Sequence, residues 1–167
     1  RKLKGTDELL FPLARRLYGT VQSDFRVIDP YLANGGPGSG AGDKPMTTGE
    51  LADWYNGASV YVVASACEGT PNPALEAASC GCVLVTTRVG NMTEIVRSGG
   101  NGILVDRNLD ALEAGVRQAL ERRQELSDAM QRDIAAWDWK TRAEEYYALF
   151  RKLVNGEAPL LRPRGTA

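Results

Sequence analysis

The chain has 167 residues, 43% of them hydrophobic and 25% charged, and a net charge of −1. That composition is a soluble globular one with enough chain for a proper core, and its charge excludes a general nucleic-acid or membrane-surface binder. Histidine is absent, which excludes Ser-His-Asp and Cys-His nucleophile systems, and no apolar run approaches the roughly 18–20 residues of a membrane span.

The chain opens at Arg1 without Met or a signal peptide and runs straight into "RKLKGTDELLFPLARRLYG", which reads as the interior of a longer protein. Leu9, Leu10, Leu13 and Leu17 are spaced for one apolar face of a helix over 7–18, and Asp7 and Glu8 suit its first-turn dipole. Pro12 sits past the first turn and should kink that helix. "FRVID" (25–29) reads as a short strand, after which "ANGGPGSGAG" (33–42) breaks the pattern. Within it, "GPGSGA" (36–41) satisfies G-x-G-x-x-[GA], the dinucleotide fingerprint. Such a fingerprint needs its glycines at the strand end and a helix starting inside the motif. Here "PYLAN" intervenes and "DKPMTT" follows, so the run reads as a loop and not as a phosphate cradle.

Thr47 lies three residues before Glu50, a capping-box spacing, and opens a short helix to about Gly57. "VYVVAS" (60–65) and "CVLVTT" (82–87) are β-branched runs of the kind a parallel sheet covers on both faces. Between them "PALEAASCG" is a short helix ending at Gly81. "NMTEIVRSG" is another short helix, "GILV" (102–105) another strand, and helices over about 109–123, 126–136 and 139–154 follow. This alternation predicts an α/β fold, an open Rossmann-like parallel sheet covered by helices, over residues 1–156, with 157–167 a loose tail. Cys67, Cys80 and Cys82 cannot all pair, and C-x-C without a second pair argues against zinc. They read as small apolar residues of a reducing cytoplasm.

The chemistry gathers in "ACEGTPNPALEAASCG" (66–81). This turn follows a strand and precedes a helix, the place where open α/β sheets bind ligands. The first helical turn offers N–H groups without internal partners, an anion site. Asn72 is the expected N-cap, Pro73 suits the first helical position, and Gly69 lets a ligand approach the backbone. Glu68 before the turn and Glu76 one turn into the helix add acceptors for hydroxyl groups, so the pattern suits a polyhydroxylated, phosphorylated ligand. Spacing alone is equally met by a glutamate that merely favours the helix dipole.

From about Glu50 to Leu120 the chain resembles the donor-binding half of retaining GT-B glycosyltransferases, family 4 (glycosyl transferases group 1). Glu68 and Glu76 have the family's Glu-x7-Glu spacing, "EGTPNPALEA" is a common form of it, and "EIV" and "NG.LV" follow in the family's order. "WDWKTRAEEYYALF" is more weakly similar to the closing helix. The resemblance implies a domain that holds a UDP-, GDP- or ADP-sugar against a second, N-terminal acceptor-binding domain, with no other cofactor. It implies ribose contact by Glu76, sugar contact by Glu68 and donor-binding amides at Gly69, Thr70 and Asn72, with Pro71 in the same turn but lacking an N–H. Lys4 matches the lysine that stabilises the leaving diphosphate, and Glu94 matches the Glu of a "GGxxE" stretch whose second glycine is Asn91 here. The Asn91–Glu94 spacing equally suits a capping box.

The chain departs from the family in three places. The arginine five residues before the lysine would precede Arg1, the first strand of the half-domain is not evident, and the glycine-rich run replaces the segment that cradles the base. No D-x-D occurs, in keeping with transfer that needs no metal. The expectation is therefore a retaining, metal-independent hexosyltransferase as the full-length parent, with this piece inactive alone. Two alternatives stay open: a non-catalytic sugar-nucleotide module or subunit, and a GT-B epimerase or phosphorylase. A cytoplasmic place is expected, with peripheral membrane attachment through the other half left open. Trp139, Ala143, Tyr146, Phe150 and Leu153 form an apolar face that would cross to the other domain, pair two fragments, or cover its own sheet.

Overall fold

The computed structural model describes residues 2–20 and 46–157. The strand expected over 25–29, the glycine-rich run 33–42 and tail residues 158–167 lie outside the described residues. The chain divides into two units, Arg1–Ile134 and Ala135–Ala167.

In the first unit, β1 (Val60–Val63), β2 (Val83–Thr87) and β3 (Ile103–Val105) form a parallel sheet in the order β1-β2-β3. Val60 pairs with Val83 and Val63 with Thr86, while Val85 pairs with Ile103 and Thr87 with Val105. Parallel neighbours need crossovers. The helices α3 (Asn72–Ser79) and α4 (Met92–Ile95) supply them. The expected Rossmann-like arrangement is present, built as one repeating strand–helix plan.

Alternation along the strands sorts the side chains between two faces. Val83, Val85, Ile103 and Val105 join Val60 and Val62 on one face, beneath Leu13 and Leu17 of α1 (Phe11–Leu17) and Leu112 and Val116 of α5 (Leu109–Glu121). On the other face Tyr61 packs with Ala77 of α3 and with Tyr55 of α2 (Thr48–Asn56). The helix α6 (Arg123–Ile134) completes the unit through buried Leu126 and Met130. All five residues of β2 are buried, as a central strand requires. β1 is shorter than expected and only half-covered, because β2 is its one paired neighbour among the described residues.

The first predicted helix is two pieces. Thr6–Leu10 forms a wide π-helical turn in which the N–H groups of Leu9 and Leu10 both donate to the carbonyl of Gly5, at 2.9 and 3.0 Å. The ordinary helix α1 then starts at Phe11, which places Pro12 in its first turn, where a missing N–H costs nothing. The objection raised by Pro12 is met by the wide turn just before it, through which the backbone stays helical, and Leu9, Leu13 and Leu17 still face inward. The predicted capping box forms in full: Thr47 accepts from the Glu50 N–H, and the Glu50 carboxylate accepts from the Thr47 N–H at 2.7 Å.

Among its described residues the second unit holds a 3₁₀ turn, Ala135–Trp137, and α7 (Trp139–Val154), the helix within the limits the sequence suggests. Asp138 caps α7 by accepting from the N–H groups of Lys140 and Thr141 at 2.8 and 3.0 Å. Tyr146 stacks on Phe150 with ring centres 6.3 Å apart, and no residue of α7 is buried. No described helix is long and apolar enough to cross a membrane.

Candidate functional site at the carboxyl end of the sheet

The chain leaving β1 is tied down before it reaches Glu68. Thr87, the last residue of β2, donates its hydroxyl to the carbonyl of buried Ser65 at 2.7 Å. Ser65 in turn donates its own hydroxyl to Glu68 Oε1 at 2.7 Å. Lys4, 64 residues earlier, makes an ion pair with the same oxygen. Burial pushes the Glu68 carboxyl up, but the hydrogen bonds from Lys4 and Ser65 and the lysine charge outweigh it, leaving it below its ordinary value. Glu68 is therefore ionised and charge-balanced.

Lys4 reaches Glu68 because its backbone is laid against the end of β1. The Ala66 N–H donates to the Leu3 carbonyl at 2.7 Å. Gly5, with φ +72°, sits so close to the Ala64 carbonyl that a Cβ would lie 2.6 Å from its oxygen. Only glycine accepts both that dihedral and that contact.

The turn itself differs from expectation. The helix α3 begins one residue early, with Pro71 at the N-cap and Asn72 and Pro73 in the first turn, and no side chain caps it. Asn72 is thus not the N-cap: its N–H turns back to the Thr70 carbonyl at 2.9 Å, while the carbonyl of Pro71 receives the Ala74 N–H at 2.8 Å. With prolines on both sides of Asn72, the anion-binding capacity of the turn narrows to the N–H groups of Gly69 and Thr70, which have no backbone acceptor among the described residues. Both residues are exposed, and Gly69 has open space where a side chain would stand.

Glu76 is exposed on α3 and accepts a hydrogen bond of 3.2 Å from the hydroxyl of Tyr55. Tyr55 is buried, edge-on to Trp54 and Tyr61 at ring distances of 5.4 and 5.9 Å. Burial, reinforced by the charges around it, raises its hydroxyl pKa well above the ordinary value, and burial likewise pushes Tyr61 up to about 12. Tyr55 is consequently a permanent neutral donor to Glu76. Nothing in the spacing marks this residue, since a tyrosine on the apolar face of α2 reads as core. The neighbouring Cys82 thiol is inert: it is buried, its Sγ 3.3 Å from the Tyr55 carbonyl, and burial pushes its pKa up to about 11.

The loop after β2 leans on the turn. Gly90 takes φ +51° against the Gly69 carbonyl, where any Cβ would collide, and the Asn91 N–H donates to that same carbonyl at 3.1 Å. The capping box expected between Asn91 and Glu94 does not form. Asn91 has φ −81°, its side chain caps nothing, and its Oδ1 is buried without a hydrogen-bond partner. The left-handed residue is Gly90, so an asparagine suffices at the following position. Glu94 stays exposed in the first turn of the four-residue α4. The structure thus joins Lys4 to Glu68 and Glu76 to Tyr55, and brings neither pair into hydrogen-bond contact with Glu94. Among the described residues no group of three or more His, Cys, Asp or Glu could hold a metal ion.

An ammonium, two carboxylates and two outward amides at one sheet end can take hydroxyl groups and phosphate oxygens together. Comparison with known proteins finds similarity to glycosyltransferases. Residues 42–122 match the family model described as Glycosyl transferases group 1. The chain is 28% identical, over 93% of its length and 43% of the relative's, to D-inositol 3-phosphate glycosyltransferase 1 of Catenulispora acidiphila. It is 32% identical to a D-inositol 3-phosphate glycosyltransferase of Paenarthrobacter aurescens, over 72% of this chain and 30% of that one. Among solved structures it matches sucrose-phosphate synthase from Thermosynechococcus elongatus with a TM-score of 0.58 and 27% identity, over 64% of this chain and 28% of that one. The C-terminal domain of a glycosyl transferase group 1 family protein from Francisella tularensis matches in fold, with a TM-score of 0.51 and 24% identity over 56% of this chain and 50% of that domain. The chain spans less than half the length of these curated relatives.

Proposed function

We propose that the chain, which matches the glycosyl transferases group 1 family over residues 42–122, is the donor-binding half of a glycosyltransferase. The parent protein moves a sugar from a nucleotide-diphosphate sugar to an acceptor hydroxyl, with retention of configuration and without a metal ion. Acceptor binding belongs to the other half, so this length of chain alone transfers nothing. The names of the relatives make D-inositol 3-phosphate the first acceptor to try with the longer protein.

The observation that carries the reading is the ion pair between Lys4 and Glu68 beside the amides of Gly69 and Thr70. A donor's reactive bond joins a sugar carbon to a phosphate oxygen. A cation suited to the phosphate and a carboxylate suited to sugar hydroxyls must then lie next to each other. Lys4 stabilises the departing diphosphate as a mobile point charge. Glu68 holds a sugar hydroxyl, in a supporting role. Glu76 takes the ribose hydroxyls with the acceptor capacity that Tyr55 leaves free.

Calorimetric titration of the chain with UDP, GDP, ADP and their common sugar derivatives tests this. One nucleotide should bind, and Glu76→Ala should weaken it by about ten- to a hundredfold, the cost of a lost hydrogen bond to a charged group. Failure of every nucleotide to bind would sink the claim that this chain is a self-sufficient donor domain.

A further inference from the structure

We propose that Arg107 is a positioning residue for Lys4, acting through the backbone on either side of it; its functional meaning rests on the reading of Lys4 as the diphosphate's cation. Residues 2–5 form a turn, outside any helix or strand, yet they must hold the ammonium of Lys4 in place. A lysine's flexible stem aims its charge only as well as its backbone is fixed.

Arg107 lies two residues beyond the end of β3, at the same end of the sheet as Glu68. Its Nε donates to the Ala64 carbonyl at 3.1 Å, the carbonyl against which Gly5 is seated. Its Nη2 donates to the Glu8 carboxylate at 3.0 Å and, at 3.4 Å, to the Lys2 carbonyl. The one planar guanidinium therefore fastens the chain two residues before Lys4 and four residues after it to the end of β1. The fork geometry of arginine makes several such bonds at once, which a lysine at 107 could not. Glu8 is needed as the anionic partner of Arg107, so it does its work without touching Lys4. Lys4's own ammonium is left to Glu68.

Two readouts test this on the chain as it stands. The first is ligand-free: the rate at which an amine-reactive ester acylates Lys4, read by peptide mass spectrometry, with Lys140 and Lys152 as internal references. Arg107→Ala and Glu8→Gln should each speed acylation of Lys4 several-fold toward the rate in Glu68→Gln, leaving Lys140 and Lys152 unchanged, and Arg107→Lys should not restore protection. The second is affinity for the nucleoside diphosphate that binds best among UDP, GDP and ADP. Arg107→Ala should weaken it about tenfold, as expected for a lost charge-assisted contact, and should weaken it no further in a Lys4→Met background. Unchanged acylation of Lys4 in both Arg107→Ala and Glu8→Gln overturns the proposal. So does a full tenfold loss on top of Lys4→Met, which would make Arg107 an independent contact. If the wild-type chain binds no nucleotide, the acylation rates still decide whether Arg107 positions Lys4, and the donor-site reading alone falls.

Discussion

Glu68 and Glu76 belong to one Glu-x7-Glu pattern, yet their surroundings are opposite in kind. Glu68 keeps 13% of its side chain exposed and shares one oxygen between a buried serine and a lysine 64 residues away. Glu76 is exposed and receives one neutral hydroxyl. The first is assembled by tertiary structure, and its charge is answered before any ligand comes. The second is placed by the helix that bears it and keeps most of its acceptor capacity turned to solvent. Disturbance around Glu68 should therefore be felt by the folded chain itself, and disturbance at Glu76 chiefly by whatever binds.

The sharpest way to break that contrast is Gly90→Ala. The new Cβ meets the Gly69 carbonyl and a positive φ together, so unfolding free energy should fall by about 2–5 kcal/mol in urea titration. A loss under 1 kcal/mol would mean the Glu68 turn is not held as rigidly as argued.

Ser65→Ala is next, at about 1.5–3 kcal/mol, because it takes a donor from a charged acceptor. The pH profile carries the same distinction. The folded pKa of Glu68 lies below the ordinary 4.5, so its contribution is fully present above that value. As pH falls the unfolded chain takes up the proton first, and the contribution is gone once pH passes the folded pKa. Lys4→Met should flatten that part of the acid limb in stability measured between neutral pH and the carboxylate range. An unchanged limb would show that the ion pair is not what holds Glu68 ionised.

Tyr55→Phe should cost less, about 0.5–1.5 kcal/mol, since water can replace the lost donor at an exposed carboxylate. Glu76→Gln should leave stability within about 0.5 kcal/mol while still weakening the nucleotide in titration. Equal costs for Ser65→Ala and Glu76→Gln would erase the comparison.

Much of this was legible from residues near one another in the chain. The capping box of Thr47 and Glu50, the wholly buried β2 and the turn bearing Glu68 all follow from local spacing and composition. What the sequence hid was long-range or depended on a single dihedral. Tyr55 reaches Glu76 across 21 residues, and Arg107 reaches Glu8 across 99. Neither separation leaves a trace in periodicity. Asn72 was misplaced by one position because Pro71, lacking an N–H but keeping its carbonyl, can start the helix itself. Asn91 suggested a cap because its spacing to Glu94 is right, but Gly90 had already made the turn. The apolar face of α7 was legible, and what meets it was not.

The wide turn at Thr6–Leu10 gives the amino-terminal segment one residue of slack. It holds one residue more than an ordinary helical turn would, so removing any one of those five would relax it into regular helix. Pro12 would then lie inside an unbroken helix, where a proline costs about 3 kcal/mol, so stability measured in urea should fall. Lys4 would nonetheless stay nearly in place relative to Leu13 and Leu17, because the five residues of the wide turn sweep about the same angle as four of an ordinary helix. A one-residue deletion there should thus lower stability yet keep the acid limb that the ion pair between Lys4 and Glu68 produces.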